Sequence, residues 1–115
     1  MTIYALSTGS GISGIAVIRI SGIDTSGVIE LLTQKKLPKP RIATLRKINK
    51  INTSELIDEG IVLWFPGPES YTGEDMAEIQ VHGSKAVVDA LHSTLSNVEN
   101  CRLAEPGEFT KLAFQ

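Results

Sequence analysis

The sequence predicts an α+β domain with a mixed, largely antiparallel sheet of about five strands and two to three helices. Short runs rich in β-branched residues recur along the 115-residue chain, and glycine, proline or asparagine lies between them. Two or three other segments carry apolar residues at helical spacing. Two of the strand-like runs, 42–51 and 57–65, are joined by a short polar turn, which is typical of an antiparallel hairpin.

The first two strands are expected at residues 2–7 and 15–21. In the second run, the apolar residues at positions 16, 18 and 20 share one face, and Arg19 lies on the other face. The glycines at positions 9, 11 and 14 match the Gly-x-Gly-x-x-Gly pattern of dinucleotide-binding loops. That pattern requires a helix to follow it, because the bound anion lies on the helix N-terminus. A strand-like run follows instead, so the glycines are interpreted as a turn.

A short helix is expected at 24–33, with Asp24, Thr25 or Ser26 as its cap. Its predicted core residues are apolar and lie at helical spacing: Val28, Leu31 and Leu32. Prolines at positions 38 and 40 then start an extended connection into the hairpin.

The central stretch, 58–83, places a polar loop between two strand-like runs, 60–65 and 76–81. Such loops, held by a rigid scaffold, often carry binding residues. The clearest helix follows at 84–96, with Ser84 as its cap and His92 on its flank. A short strand, 101–104, precedes a final helix that opens at Glu108 and stops uncapped at position 115, as expected for a fragment of a longer protein.

The length of the chain indicates a single domain, 1–115. Its net charge is −2, and it contains one cysteine, Cys101. One cysteine excludes an internal disulfide and fits a reducing compartment, so we expect a cytoplasmic protein. No secretory signal is recognisable, and no apolar run approaches the roughly 20 residues of a membrane helix, so no membrane partner is expected.

The basic residues are unevenly distributed. Seven of the eleven lie between Lys35 and Lys50, a span without an acidic residue. This span is either a docking edge for RNA or an acidic partner, or a strand edge that lysines keep solvated and unpaired.

The reactive side chains are few. Cys101 and the two histidines lack the spacing of a nucleophilic or zinc site. Glu74 and Asp75 are a weak candidate for a hard cation, because no oxygen-rich loop accompanies them. We therefore predict no catalytic or metal-binding residue and expect a binding domain.

Glu78 is the most informative carboxylate, because it interrupts an apolar strand. A buried carboxylate requires hydrogen-bond donors, and a flat heterocycle with adjacent N–H groups would supply two in parallel. Arg19 could contact a ligand or Glu78 itself. The alternatives are a structural Arg19–Glu78 pair and a solvated Glu78.

Five segments resemble the tRNA-modification GTPase family MnmE/TrmE in its N-terminal domain. They are Phe65-Pro-Gly-Pro-Glu-Ser-Tyr-Thr-Gly-Glu-Asp75, Gly14-Ile-Ala-Val-Ile-Arg-Ile-Ser-Gly22, Leu37-Pro-Lys-Pro-Arg41, His82-Gly83 and Arg102-Leu-Ala-Glu-Pro-Gly-Glu-Phe-Thr110. The resemblance implies a fold similar to the folate-binding domain of aminomethyltransferases. It also implies homodimerisation through this domain and binding of a tetrahydrofolate derivative, either 5,10-methylene- or 5-formyl-tetrahydrofolate.

By the same resemblance, the parent protein modifies the wobble uridine of tRNA with a one-carbon unit, together with the flavoprotein MnmG. GTP, Mg²⁺ and K⁺ would belong to a GTPase domain outside this chain, so the fragment alone is expected to be inactive. Arg19 and Glu78 match the family's folate contacts, and Tyr71, Thr72 and Glu108 are expected to line the site. A further basic contact follows the family's Ala-Phe pair, beyond the end of this chain. The alternative is an assembly module whose ligand pocket does not function.

Overall fold

The computed structural model describes residues 1–6 and 14–114. The elements in chain order are β1 (Thr2–Leu6), β2 (Ile15–Ser21), α1 (Thr25–Thr33), β3 (Thr44–Asn49), β4 (Leu56–Phe65), β5 (Met76–His82), α2 (Lys85–Ser96), β6 (Cys101–Leu103) and α3 (Glu108–Ala113). The strands form one sheet in the order β3-β4-β5-β2-β1-β6. All neighbours are antiparallel except β1 and β6, which are parallel. The predicted α+β class is confirmed, with six strands in the sheet.

The core lies on the face of the sheet that α1 and α2 cover. Alternate strand residues, among them Ile18 on β2, Val62 on β4 and Ile79 on β5, are fully buried there. They join one cluster with Leu32 of α1 and Leu91 of α2. Along most of β2 and β5, buried positions alternate with partly exposed ones, and the buried positions contribute to this core.

One predicted core residue of α1 is wrong. Leu31 is 42% exposed, whereas Ile29 is fully buried. The helix starts at Thr25, so positions 25, 28, 29 and 32 form the buried stripe at helical spacing, and Leu31 lies outside it.

The caps of the two longer helices differ. Ser84 caps α2 as predicted, because its Oγ accepts from the backbone N–H of Val87 at 3.2 Å. Asp24 occupies the cap position of α1, but its side chain makes no cap hydrogen bond. Instead its backbone N–H donates to Thr2 Oγ1 at 2.9 Å, and this contact ties the start of α1 to β1.

The glycine pattern at positions 9 and 11 lies outside the described residues. Directly after Gly14 the chain forms β2, so the helix that a dinucleotide-binding loop requires does not follow. Within the described part of the chain, no helix is long and apolar enough to cross a membrane.

Candidate ligand-binding site

Arg19 and Glu78 lie directly opposite each other on the two central strands. Cross-strand register pairs Arg19 of β2 with Glu78 of β5, and both side chains project from the face that lies away from α1 and α2. Arg19 Nε donates to Glu78 Oε1 at 3.1 Å. The structural pair anticipated as one alternative therefore forms, and Glu78 is not simply solvated.

This ion pair leaves hydrogen-bonding capacity unused. In the described part of the chain, Oε2 of Glu78 and both terminal nitrogens of Arg19 make no hydrogen bond. The side chains are 19% and 36% exposed, respectively. A half-buried carboxylate and guanidinium that are held rigidly and only partly satisfied can bind a planar ligand with paired donors or acceptors.

Tyr71 lies over the same pair. The Cζ atom of Arg19 is 5.8 Å from the centroid of the Tyr71 ring, within the range of a cation–π contact. Nearly half of the Tyr71 side chain is exposed. The structure thus brings Tyr71 together with Arg19 and Glu78.

Thr72, in contrast, is used to hold the loop. Its hydroxyl lies 2.8 Å from Ser21 Oγ, and Ser21 Oγ donates to Glu74 Oε1 at 3.0 Å. Asp75 holds the neighbouring turn, because its Oδ1 accepts from the backbone N–H of Gly67 at 2.9 Å. The two acids that stood out as a weak cation candidate, Glu74 and Asp75, therefore both contribute to loop structure.

Glu108 is also committed to a structural contact. Its carboxylate accepts from both terminal nitrogens of Arg102, at 2.8 and 2.5 Å, and from the backbone N–H of Glu105 at 2.9 Å. The Arg102 hydrogen bonds and that backbone bond outweigh partial desolvation and lower the pKa of Glu108 to about 2. Glu108 nevertheless lines a cavity of about 570 Å³ that Arg19 also lines.

His92 also lines this cavity, although it was not among the predicted site residues. It is half-buried on the flank of α2, as expected, and its ring lies 5.8 Å from that of Tyr4. Its Nε2 is buried without a hydrogen-bond partner among the described residues. Its spacing from Val88 and Leu95 places it on the apolar stripe of the helix, and this spacing was the available signal.

The open face consists of the residues that alternate with the core. In register across the sheet, one row contains Arg19, Glu78 and Leu63, and the next contains apolar side chains on either side of Gln80. The apolar members of the second row are Val17, Ile61 and Leu45. Leu45 is 58% exposed. A polar pair beside a partly exposed apolar strip has the composition of a ligand or partner surface.

The family model described as "GTP-binding protein TrmE N-terminus" matches residues 2–115. The chain belongs to this TrmE N-terminal family. It is 77% identical to the "tRNA modification GTPase MnmE" of Pelagibacter ubique (strain HTCC1062), over 100% of this chain and 26% of that protein. It is 49% identical to the mitochondrial "5-taurinomethyluridine-[tRNA] synthase subunit GTPB3" of Danio rerio, over 98% of this chain and 22% of that protein.

A MnmE of Zymomonas mobilis subsp. mobilis is 47% identical, over 99% of this chain and 26% of its own length. The chain thus spans about a quarter of the length of the relatives it matches. For this member of the TrmE N-terminal family, the resemblance drawn from the five sequence segments is confirmed.

Proposed function

We propose that this TrmE N-terminal domain binds a tetrahydrofolate derivative through Glu78 and Arg19. The observation that carries the proposal is the central ion pair on the open face of the sheet, whose remaining donors and acceptors make no hydrogen bond to described residues. A pterin ring presents adjacent N–H groups on one edge. Glu78 Oε2 is free to accept one of them, and Oε1 has a second lone pair beyond the bond from Arg19.

Arg19 has a double role in this proposal. Its Nε orients Glu78, while its two terminal nitrogens remain available to a carbonyl or carboxylate of the ligand. Tyr71 already lies against the guanidinium and offers an aromatic surface next to the ring position. Thr72 and Glu108 shape the surroundings through their own hydrogen bonds.

The test is calorimetric titration of 5-formyl-tetrahydrofolate into the full-length protein and into this chain. Glu78→Gln keeps the shape but replaces one acceptor oxygen by a donor, so we expect at least a tenfold loss of affinity, about 1.4 kcal/mol or more. The matched control is Glu59→Gln, an exposed carboxylate on the neighbouring strand. Unchanged affinity in the Glu78 variant would overturn the assignment.

We further propose that the open face forms the homodimer interface. Half-buried Ile61 and Leu63 lie there on one strand, and among the described residues neither belongs to the core cluster. A stable interface requires roughly 800 Å² from each partner. Dimerisation on this face would also remove water from Arg19 and Glu78, which strengthens polar contacts to a ligand.

Sedimentation velocity tests the dimer. Leu63→Glu adds a charge to the open face and is expected to give a monomer, whereas Ile23→Glu is the control, because Ile23 is 78% exposed and borders the groove beside α1. A Leu63→Glu protein that remains dimeric would contradict this interface.

The parent protein, in this proposal, is a cytoplasmic GTPase that acts on tRNA together with the flavoprotein MnmG. The relatives of Pelagibacter ubique and Zymomonas mobilis are tRNA modification GTPases, which supports the GTPase activity and the tRNA substrate. The phosphate-binding pattern Gly-x-x-x-x-Gly-Lys-Ser/Thr does not occur in these 115 residues, so GTP, Mg²⁺ and K⁺ are assigned to a different domain.

One observation favours the alternative, an assembly module without ligand binding. Four of the five predicted site residues already have polar partners that a ligand would have to share or displace: Arg19, Glu78, Thr72 and Glu108. A dimer that takes up no folate in the full-length protein would support this alternative.

A further inference from the structure

We propose that the edge of the sheet at β3 binds the phosphate backbone of RNA. The basic edge consists of five cationic residues from the connection that follows α1 and from β3: Lys35, Lys36, Lys39, Arg46 and Lys47. This site is distinct from the Arg19–Glu78 site, which lies on the two central strands. The inference extends the proposed function from the folate site to the nucleic acid.

The basic edge is free of ion pairs. Of the seven cations between positions 35 and 50, Arg41 pairs with Glu69 at 3.7 Å and Lys50 pairs with Glu55 at 2.5 Å. The other five make no ion pair with any described residue. Five uncompensated charges in one region create a positive potential on a chain whose net charge is −2.

Three of these cations converge on one cavity. Lys35, Arg46 and Lys47 line a depression of about 440 Å³, together with Gln34 and Asn49. Cationic and amide side chains are the groups that proteins use to contact phosphate and sugar oxygens. Since the described basic edge contains no aromatic ring for base stacking, the contacts would be to the backbone and independent of sequence.

Arg46 gives an independent indication that the basic edge binds an anion. Its Nε is buried and has no hydrogen-bond partner among the described residues, while Nη1 donates to the carbonyl of Leu45 at 3.0 Å. A buried donor without an acceptor is unfavourable in a native protein. A phosphate oxygen in the adjoining cavity would supply an acceptor of the correct charge.

Neutralising Glu59 should change RNA affinity in the opposite direction to neutralising the lysines. Glu59 lines the same cavity, and β-register places it opposite Lys47, yet the two side chains form no ion pair. Its negative charge opposes binding of a polyanion. Neutralising Glu59 should therefore strengthen RNA binding, whereas neutralising the lysines should weaken it.

The experiment is fluorescence anisotropy of labelled tRNA titrated with this chain between ~50 and ~300 mM salt. We expect micromolar affinity, and the double variant Lys35→Gln/Lys47→Gln should bind about tenfold more weakly at ~100 mM salt. The slope of log affinity against log salt should fall by roughly one unit for each lysine removed. Glu59→Gln should bind a few-fold more tightly.

The control removes the same charge elsewhere. Lys85→Gln/Lys111→Gln alters two exposed lysines on α2 and α3, and its tRNA affinity should stay within twofold of the parent chain. An equal loss in this control, or no measurable binding of tRNA by the parent chain, would overturn the proposal. Displacement of tRNA by polyglutamate at equal charge concentration would also overturn it in favour of an acidic protein partner.

The folate titration separates this inference from the proposed function. The Lys35→Gln/Lys47→Gln variant should retain the folate affinity of the unmodified protein, because both lysines lie outside the central ion pair. Loss of tRNA binding only in that variant, with folate affinity intact, supports the basic edge. Failure of tRNA binding with normal folate binding would refute the basic edge alone.

Discussion

Replacing Arg19 by methionine tests whether the central ion pair is a structural contact or a site held ready for a ligand. The two side chains meet through a single contact of 3.1 Å and are 36% and 19% exposed. Solvent-accessible pairs contribute about 0–1 kcal/mol, whereas breaking a buried pair costs about 3–5 kcal/mol. Because the pair is partly exposed and has a single bond, its contribution to stability should lie near the lower of these two ranges.

We therefore expect Arg19→Met to lower the free energy of unfolding by about 1 kcal/mol. A double-mutant cycle with Glu78→Gln should give a coupling energy of about 1 kcal/mol or less. Urea unfolding followed by fluorescence is suitable, because the single tryptophan, Trp64, is buried in the core. The control cycle uses the exposed pair Lys50–Glu55, whose coupling should be below about 0.5 kcal/mol. A coupling above about 2 kcal/mol between Arg19 and Glu78 would show that the pair is primarily structural.

Three further predictions concern stability. Gly60→Ala should destabilise the domain by about 2 kcal/mol in the same urea assay, because the added Cβ would lie 2.2 Å from the backbone carbonyl oxygen of Gln80. Gly27→Ala should instead stabilise the domain by about 0.5–1 kcal/mol, because alanine favours the helix α1 and no atom lies within 4 Å of the added Cβ. The lowered pKa of Glu108 means that its bond to Arg102 stabilises the fold fully above about pH 5 and loses this contribution as the pH falls towards 2. The stability difference between the parent chain and Glu108→Gln should be about 1 kcal/mol at pH 6 and vanish near pH 2; a difference independent of pH would contradict this role.

Local patterns were sufficient to predict most elements of the fold. The alternation in 15–21 and the Ser84 cap each depend on neighbours in sequence, and both are confirmed. The position of Ile29 in the core depends on the residue at which α1 begins, and three candidate caps left that open. The parallel pairing of β6 with β1 joins segments about 100 residues apart, so no local pattern could indicate it.

The candidate site was also predictable only in part, because local patterns point to single residues and not to the contacts between them. Arg19 and Glu78 each stood out as a charge within an apolar strand, but their facing positions are set by the register of β2 and β5. The hydrogen bond between Thr72 and Ser21 arises from tertiary packing, and the bonds between Glu108 and Arg102 depend on the geometry of the turn that joins β6 to α3. The sequence therefore indicates which residues lie near the site. It does not indicate which of them make structural hydrogen bonds and which have donors or acceptors available to a ligand.

The most direct test of the central claim is the crystal structure of the full-length protein with 5-formyl-tetrahydrofolate bound. The proposal predicts that the pterin N–H groups lie about 3 Å from the carboxylate oxygens of Glu78, with Arg19 still bonded to Glu78 or turned to the ligand. A ligand bound elsewhere, for example in the groove beside α1 that Ile23, Leu31 and Val98 line, would contradict it.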